Sequence, residues 1–176
     1  MDAIEDTRHW LEAAVIGLNL CPFAKAVHTK DQIRWVLSEA REPVQLLADL
    51  VRELQSLAAA DAQDVDTTLL VHPQVLGDFL DFNDFLDVAD AALVELGLDG
   101  TLQIASFHPQ YRFAGSPPDD ITHFTNRSPH PTLHLLREAS IARAVASVPD
   151  AADIYERNMQ TLQQLGHAGW RALLAR

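Results

Sequence analysis

The chain has 176 residues with 25 Asp and Glu against 13 Lys and Arg, a formal net charge of −12, eight histidines and one cysteine. One cysteine excludes an internal disulfide and a thiolate-only metal site, and no apolar run approaches the roughly 20 residues of a membrane span. Between residues 42 and 100 thirteen acidic residues face Arg52 alone, which argues against nucleic acid phosphates or anionic lipid as partners.

The N-terminus, MDAIEDTRHW, lacks the basic and apolar regions of a secretory signal, so the expectation is a cytoplasmic protein of one domain, residues 1–176. In chain order, Ile4, Leu11, Val15 and Leu18 recur at helical spacing and predict a first helix ending near Asn19, before Cys21-Pro22. Ile33, Trp35 and Leu37 alternate with polar neighbours as in a strand, and Pro43 opens a helix through Leu47, Val51, Leu54 and Ala58. A short β-branched strand follows at Thr67–Val71. A second amphipathic helix, from about Phe79 to Leu96, buries Phe82, Phe85, Leu86, Ala89 and Leu93, leaves Asp84, Asp87 and Asp90 wet, and stops at Gly97. Leu102–Phe107 reads as a third strand. Pro131 then opens a helix carrying Leu135, Leu136, Ala139 and Ala142, and a last helix carries Ile154, Asn158, Leu162 and Leu165 and is closed by Gly166.

Strand, helix, strand, helix, strand predicts an α/β (or α+β) fold: a small sheet of three to four strands around a βαβαβ core, packed with about five helices. An unseen strand within residues 108–131 would make part of that sheet antiparallel. The segment from His108 to Pro131 is too proline-rich for regular structure and too aromatic for a solvated linker, so it reads as a working loop.

Both the second and third strands leave through His-Pro-Gln, at His72-Pro73-Gln74 and His108-Pro109-Gln110. If the strands are parallel, these exits share the carboxyl edge of the sheet, where ligands usually bind, and His72 and His108 come within reach of one pocket. Proline as a mere strand stop is the alternative. Cys21 has two readings as well. Trailing the first helix, it is a small buried hydrophobe; heading a short helix Phe23-Ala24-Lys25-Ala26, it lies at the positive end of a dipole beside Lys25, which favours the thiolate.

Arg112 and Arg127 combine guanidinium groups with aromatic and amide neighbours, Tyr111-Arg112-Phe113 and Asn126-Arg127-Ser128, as an anion-holding loop would, although a structural clamp fits equally. Arg137 and Arg157 are further clamp candidates. The leading functional expectation is an enzyme acting on a small anionic molecule. Cys21 would be nucleophile or redox thiol, His108 acid or base, and Asn126 a further catalytic residue, with Tyr111, Arg112, Arg127, Lys25 and His72 binding substrate. A zinc or copper protein using His108 with some of Cys21, His72, His123, His130 and His134 is the second expectation. A non-catalytic module whose acidic helices meet a basic partner is the third. No Walker, dinucleotide-glycine, HExxH, CxxC or GxSxG pattern occurs, and cofactor and oligomeric state are unassigned by the sequence.

Five phrases taken together, Gly17–Ala24 (GLNLCPFA), Ser106–Tyr111 (SFHPQY), Thr125–Pro129 (TNRSP), Leu133–Glu138 (LHLLRE) and Glu156–Asn158 (ERN), resemble the bacterial domain-of-unknown-function 1415 family along nearly the whole chain. The resemblance implies bacterial origin and brings no activity or residue role with it.

Overall fold

The computed structural model describes residues 2–147 and 150–176. Four strands, β1 (Ile33–Leu37), β2 (Thr67–Val71), β3 (Leu102–Phe107) and β4 (Thr132–Arg137), form one mixed sheet in the order β1-β2-β4-β3. The helices are α1 (Ala3–Trp10), α2 (Ala24–Thr29), α3 (Pro43–Ala59), α4 (Phe79–Glu95), α5 (Glu138–Ala146) and α6 (Ala151–Leu174). β1 and β2 are parallel, and β4 is antiparallel to both β2 and β3, so β1, β2 and β3 share one direction. The expected βαβαβ core is therefore present, with a fourth strand inserted into it.

That insertion corrects the sequence reading. Residues 132–137 form a strand, and the helix expected from Pro131 begins only at Glu138. Leu133 and Leu135 are fully buried on one sheet face, while His134 and Leu136 turn to the other, so the segment obeys a period of two. Pro131 precedes the first β4 residue, where a missing N–H costs the ladder nothing, and its carbonyl still accepts from His72 N–H (3.0 Å). The antiparallel strand thus lies just after the 108–131 loop, not inside it.

α3 and α4 cover one face of the sheet, where Leu46, Leu50, Leu54, Leu57, Phe82, Phe85, Ala89 and Leu93 meet Leu70, Leu102, Leu133 and Leu135. Each fully buried leucine contributes roughly 2 kcal/mol of apolar burial. The α4 stripe matches the expected one, with Asp84, Asp87 and Asp90 exposed and Leu86 half-buried. The α3 stripe is offset by one residue: Leu46, Leu50, Leu54 and Leu57 face inward, Leu47 and Val51 are half-buried and Ala58 is exposed. The rotation buries Glu53, 2% exposed, which is held by Arg34 through Nε–Oε2 (2.8 Å) and Nη2–Oε1 (3.4 Å). A charge paired between helix and strand occupies a position that periodicity alone gives to an apolar residue.

The opposite face packs α1 and α6 against Ile33, Leu69 and Phe107 through Trp10, Leu11, Val15, Leu162 and Trp170. α1 widens into a π-helical stretch, Leu11–Ile16, and Gly17 N–H reaches back to Glu12 O (3.0 Å). A Cβ on Gly17 would lie 2.1 Å from Ala13 O, so the wide turn requires glycine there. The helical stretch ends at Ile16, three residues before the expected Asn19, and the turn that follows passes through Asn19 in the left-handed region (φ 54). Gly166 (φ 69, ψ 175) breaks α6 where the sequence places its end, but a second helical segment continues to Leu174. Among the described residues, no helix is long and apolar enough to cross a membrane.

Candidate functional site

The two His-Pro-Gln exits lie side by side. Val71 and Phe107 both register with Thr132 at the start of β4, which places His72 and His108 on either side of that strand, at the carboxyl edge. Both rings pack on Phe82, with centroids at 5.7 Å and 4.9 Å, and both are buried. The hydrogen bonds fix their protons. Gln110 N–H donates to His108 Nδ1 (3.0 Å), so the ring proton sits on Nε2 and is donated to Leu76 O (3.0 Å). His108 thereby ties the β3 exit to the turn after β2, and both of its nitrogens are occupied. His72 donates from Nδ1 to Val75 O (3.1 Å), and its Nε2 is buried without a partner among the described residues. Burial pushes His72 down to about 4, against the pull of the Val75 carbonyl; burial also lowers His108, opposed by the Leu76 carbonyl and Asp78. These two rings act as neutral braces.

The loop they release is pinned along its length. Asn126 donates from Nδ2 to Ser106 O (3.1 Å) and accepts His108 N–H on its own carbonyl (3.1 Å). His123 accepts Phe113 N–H on Nδ1 (3.1 Å) and donates from Nε2 to Pro117 O (2.7 Å). Residues Ile121–Asn126 form a 3₁₀ helix packed on α6, where Phe124 meets Trp170 edge-on at 5.2 Å. Arg127 lies over the Phe124 ring at 4.6 Å and donates to Tyr111 O (3.0 Å) and Pro118 O (3.3 Å).

Arg127 also lines an open cleft of about 540 Å³ between the start of α1, the loop and the end of α6, a size suited to a small molecule. Asp6, His9, Trp10, Phe124, Trp170 and Arg176 are among its walls. Asp6 is engaged by His130 (3.0 Å) and Arg176 (3.6 Å). Arg127, in contrast, pairs with no carboxylate among the described residues, and its guanidinium is held below its ordinary value by burial and by the nearby charge of Arg112. Two of its five N–H groups serve carbonyls, which leaves three. His9 Nε2 and Trp10 Nε1 are buried with no partner among the described residues. Arg127 is therefore a cation in the cleft wall that no carboxylate among the described residues answers, which suits an acceptor-rich anion, while His9 Nε2 and Trp10 Nε1 are enclosed beneath the surface of the cleft.

A family model described as a protein of unknown function (DUF1415) matches residues 2–172. The chain belongs to that family. No curated protein and no solved structure matches it. Placed on the fold, the phrases that carried the resemblance include the joints just described: Gly17 in the π turn, His108 and Gln110 at the strand exit, Asn126 and Arg127 in the loop. Asn158 of the last phrase donates to Leu20 O (2.8 Å), which ties α6 to the segment carrying Cys21.

The other sequence candidates lie apart from the cleft. Cys21 does precede a short helix, and the Phe23 and Ala24 N–H groups pull its thiol down, but burial outweighs them and raises it. The two backbone N–H contacts are smaller in effect than desolvation. Cys21 lines a separate cavity on the α1 face with His134, whereas His108 packs on α4 across the sheet, so the two do not share a pocket. Lys25 is exposed on α2. Tyr111 and Arg112 line a second open cleft with Phe79 and Phe113. The metal candidates diverge: His130 meets Asp6, His134 meets Thr67, His108 meets Leu76, and among the described residues no group of three or more His, Cys, Asp or Glu converges on a metal position. Arg137 donates from Nη2 to the carbonyls of Leu57, Ala60 and Val65, so it clamps the end of α3. Arg157 reaches Asp153 O within α6.

Sequence reasoning missed His9 and Trp10 of α1, Trp170 of α6 and Arg176 just beyond it, residues from opposite ends of the chain. Their one local signal was aromatic and basic residues beside one another, His9-Trp10 and Trp170-Arg171, a pattern too common to act on.

Proposed function

We propose that the protein binds a small anionic molecule, a carboxylate or phosphate, in the cleft between α1, the 108–131 loop and the end of α6. The observation that carries this reading is Arg127, a half-buried guanidinium held over Phe124, with three N–H groups available and no carboxylate partner among the described residues, in a chain of net charge −12. A cation left unpaired where acids are abundant marks a place where the counterion comes from outside. Arg112, exposed nearby, strengthens the field. His72, His108, His123 and Asn126 hold the loop in the binding shape. The reading is of a binding protein: Cys21 and His108 act on opposite sides of the sheet, and both His108 nitrogens are engaged. It places the protein in the cytoplasm, where a lone thiol stays reduced.

The test is calorimetric titration with inorganic phosphate, acetate and succinate. Saturable binding of at least one is expected, with Arg127→Gln weakening it roughly tenfold or more, in line with about 1.5–3 kcal/mol for a charge-assisted contact. Arg112→Gln, which removes no hydrogen bond, should weaken it a few-fold at an unchanged melting temperature. Absence of heat with all three anions, or equal affinity in Arg127→Gln, would overturn the proposal.

A further inference from the structure

On the α1 face, a partly enclosed cavity of about 120 Å³ lies between α1, α2 and the sheet, walled by Trp10, Leu11, Ile33, Leu69 and Phe107. Five polar residues reach it, and the partners of each define what can enter. Thr67 Oγ1 donates to Leu135 O (2.6 Å), so its contact with His134 Nε2 (2.7 Å) must run the other way, with Nε2–H donating to Thr67. His134 is thereby held as the Nε2–H tautomer, and its Nδ1 lone pair has no partner among the described residues. Asp66 accepts from Ser140 Oγ (2.6 Å) and lies 4.0 Å from Arg137, so its charge is matched. Cys21 is a neutral thiol, because burial outweighs the nearby N–H groups. Burial likewise drives His134 down to about 4, which keeps the ring neutral at neutral pH.

We propose that this cavity is a second binding site, for a small neutral aromatic or similarly apolar molecule carrying one hydrogen-bond donor, with His134 Nδ1 as the acceptor. Size sets the first limit: about 120 Å³ is slightly below the roughly 150 Å³ of an apolar cavity that accommodates benzene, so one six-membered ring is the upper bound and the walls must yield a little to admit it. Charge sets the second. A cation or anion would enter apolar walls with no unmatched counter-charge, at the full cost of desolvation. A lone water is a poor occupant, because it needs two to four polar partners and finds one open acceptor. A donor-bearing apolar molecule is the remaining class that satisfies both the walls and the lone pair. The site is independent of the anion cleft: Trp10 contributes to both walls, but no charged side chain of the cleft reaches this cavity.

Phenol and toluene, alike in size and differing in the donor, are the probes. Titrated into the full chain and followed by calorimetry and by NMR of ring-nitrogen-labelled histidine, phenol should bind saturably and at least fivefold more tightly than toluene, with a shift of the His134 Nδ1 resonance that toluene does not produce. In His134→Leu the phenol preference should fall to about onefold while toluene binding persists. If neither probe saturates, or if phenol binds without moving the His134 Nδ1 resonance in the unmodified chain, the proposal is wrong; the NMR arm decides even if His134→Leu fails to fold. A phenol preference that survives in His134→Leu would also overturn it. Phosphate titrated in the presence of phenol separates the two sites, since failure of either leaves the other's isotherm intact.

Discussion

At the scale of single residues, the histidines of this chain are readable as chemistry and act as architecture. His72, His108 and His123 each hydrogen-bond backbone groups of the loops around them, and burial favours the neutral ring in the first two. For His72 this has a thermodynamic consequence. Its folded-state value of about 4 lies below the ordinary 6.5, so between those limits the unfolded chain takes up a proton that the native chain refuses. Stability is then fully present above about pH 6.5 and is lost as pH falls toward 4, by up to about 3 kcal/mol for this ring. Urea unfolding across that range should show a steeper decline in the parent than in His72→Asn, which keeps a donor for Val75 O and has no proton to gain. Equal slopes would mean that His72 is not held neutral. Cys21 makes the complementary point: residue type and a helix start suggested a thiolate, and desolvation decided against it.

At the scale of elements, β4 and α3 show where periodicity fails and why. The string Thr132–Arg137 contains leucines at spacings compatible with either period, and Pro131 is equally at home before a helix and before a strand. What decides is that β2 and β3 each need a partner for their facing N–H and C=O groups, which β4 supplies to both. For α3, the one-residue rotation follows from the Arg34–Glu53 pair, a contact over 19 residues that no local window contains. Arg137 joins the two elements: its Nη2 faces Leu57 O (3.0 Å), Ala60 O (3.0 Å) and Val65 O (2.8 Å), and so caps the end of α3 from the last position of β4. Arg137→Met, which keeps the apolar stem, should cost roughly 3 kcal/mol in urea unfolding and speed amide exchange over residues 57–66. A loss under about 0.5 kcal/mol would show that water replaces the cap freely.

At the scale of the whole molecule, charge and topology act separately. Part of the acidic middle of the sequence lies on the outer face of α4, with Asp81, Asp84, Asp87 and Asp90 exposed, while Arg34, Arg52 and Arg137 reach Glu53, Asp49 and Asp66. Self-repulsion of that band should be screened by salt. Raising NaCl from about 20 to about 500 mM is expected to raise the melting temperature by a few degrees, at roughly 2–4 °C per kcal/mol for a chain of this size. An unchanged or lower value would mean that the band is already neutral in effect. The same salt should weaken anion binding at Arg127, which distinguishes a stability effect from a binding one.

The sequence by itself determined β1, β2, β3 and the α4 stripe, the shared edge of the two His-Pro-Gln exits, and the loop that bears Arg127, because each is encoded in local period, proline placement or a repeated phrase. Only the tertiary structure decided that β4 is a strand, that Cys21 and His108 lie on opposite sides of the sheet, and that His9 and Trp10 from the start of the chain meet Trp170 and Arg176 from its end around one cleft. Those facts depend on which groups desolvate together and which backbone donors remain unpaired, and both are properties of contacts between residues distant in sequence.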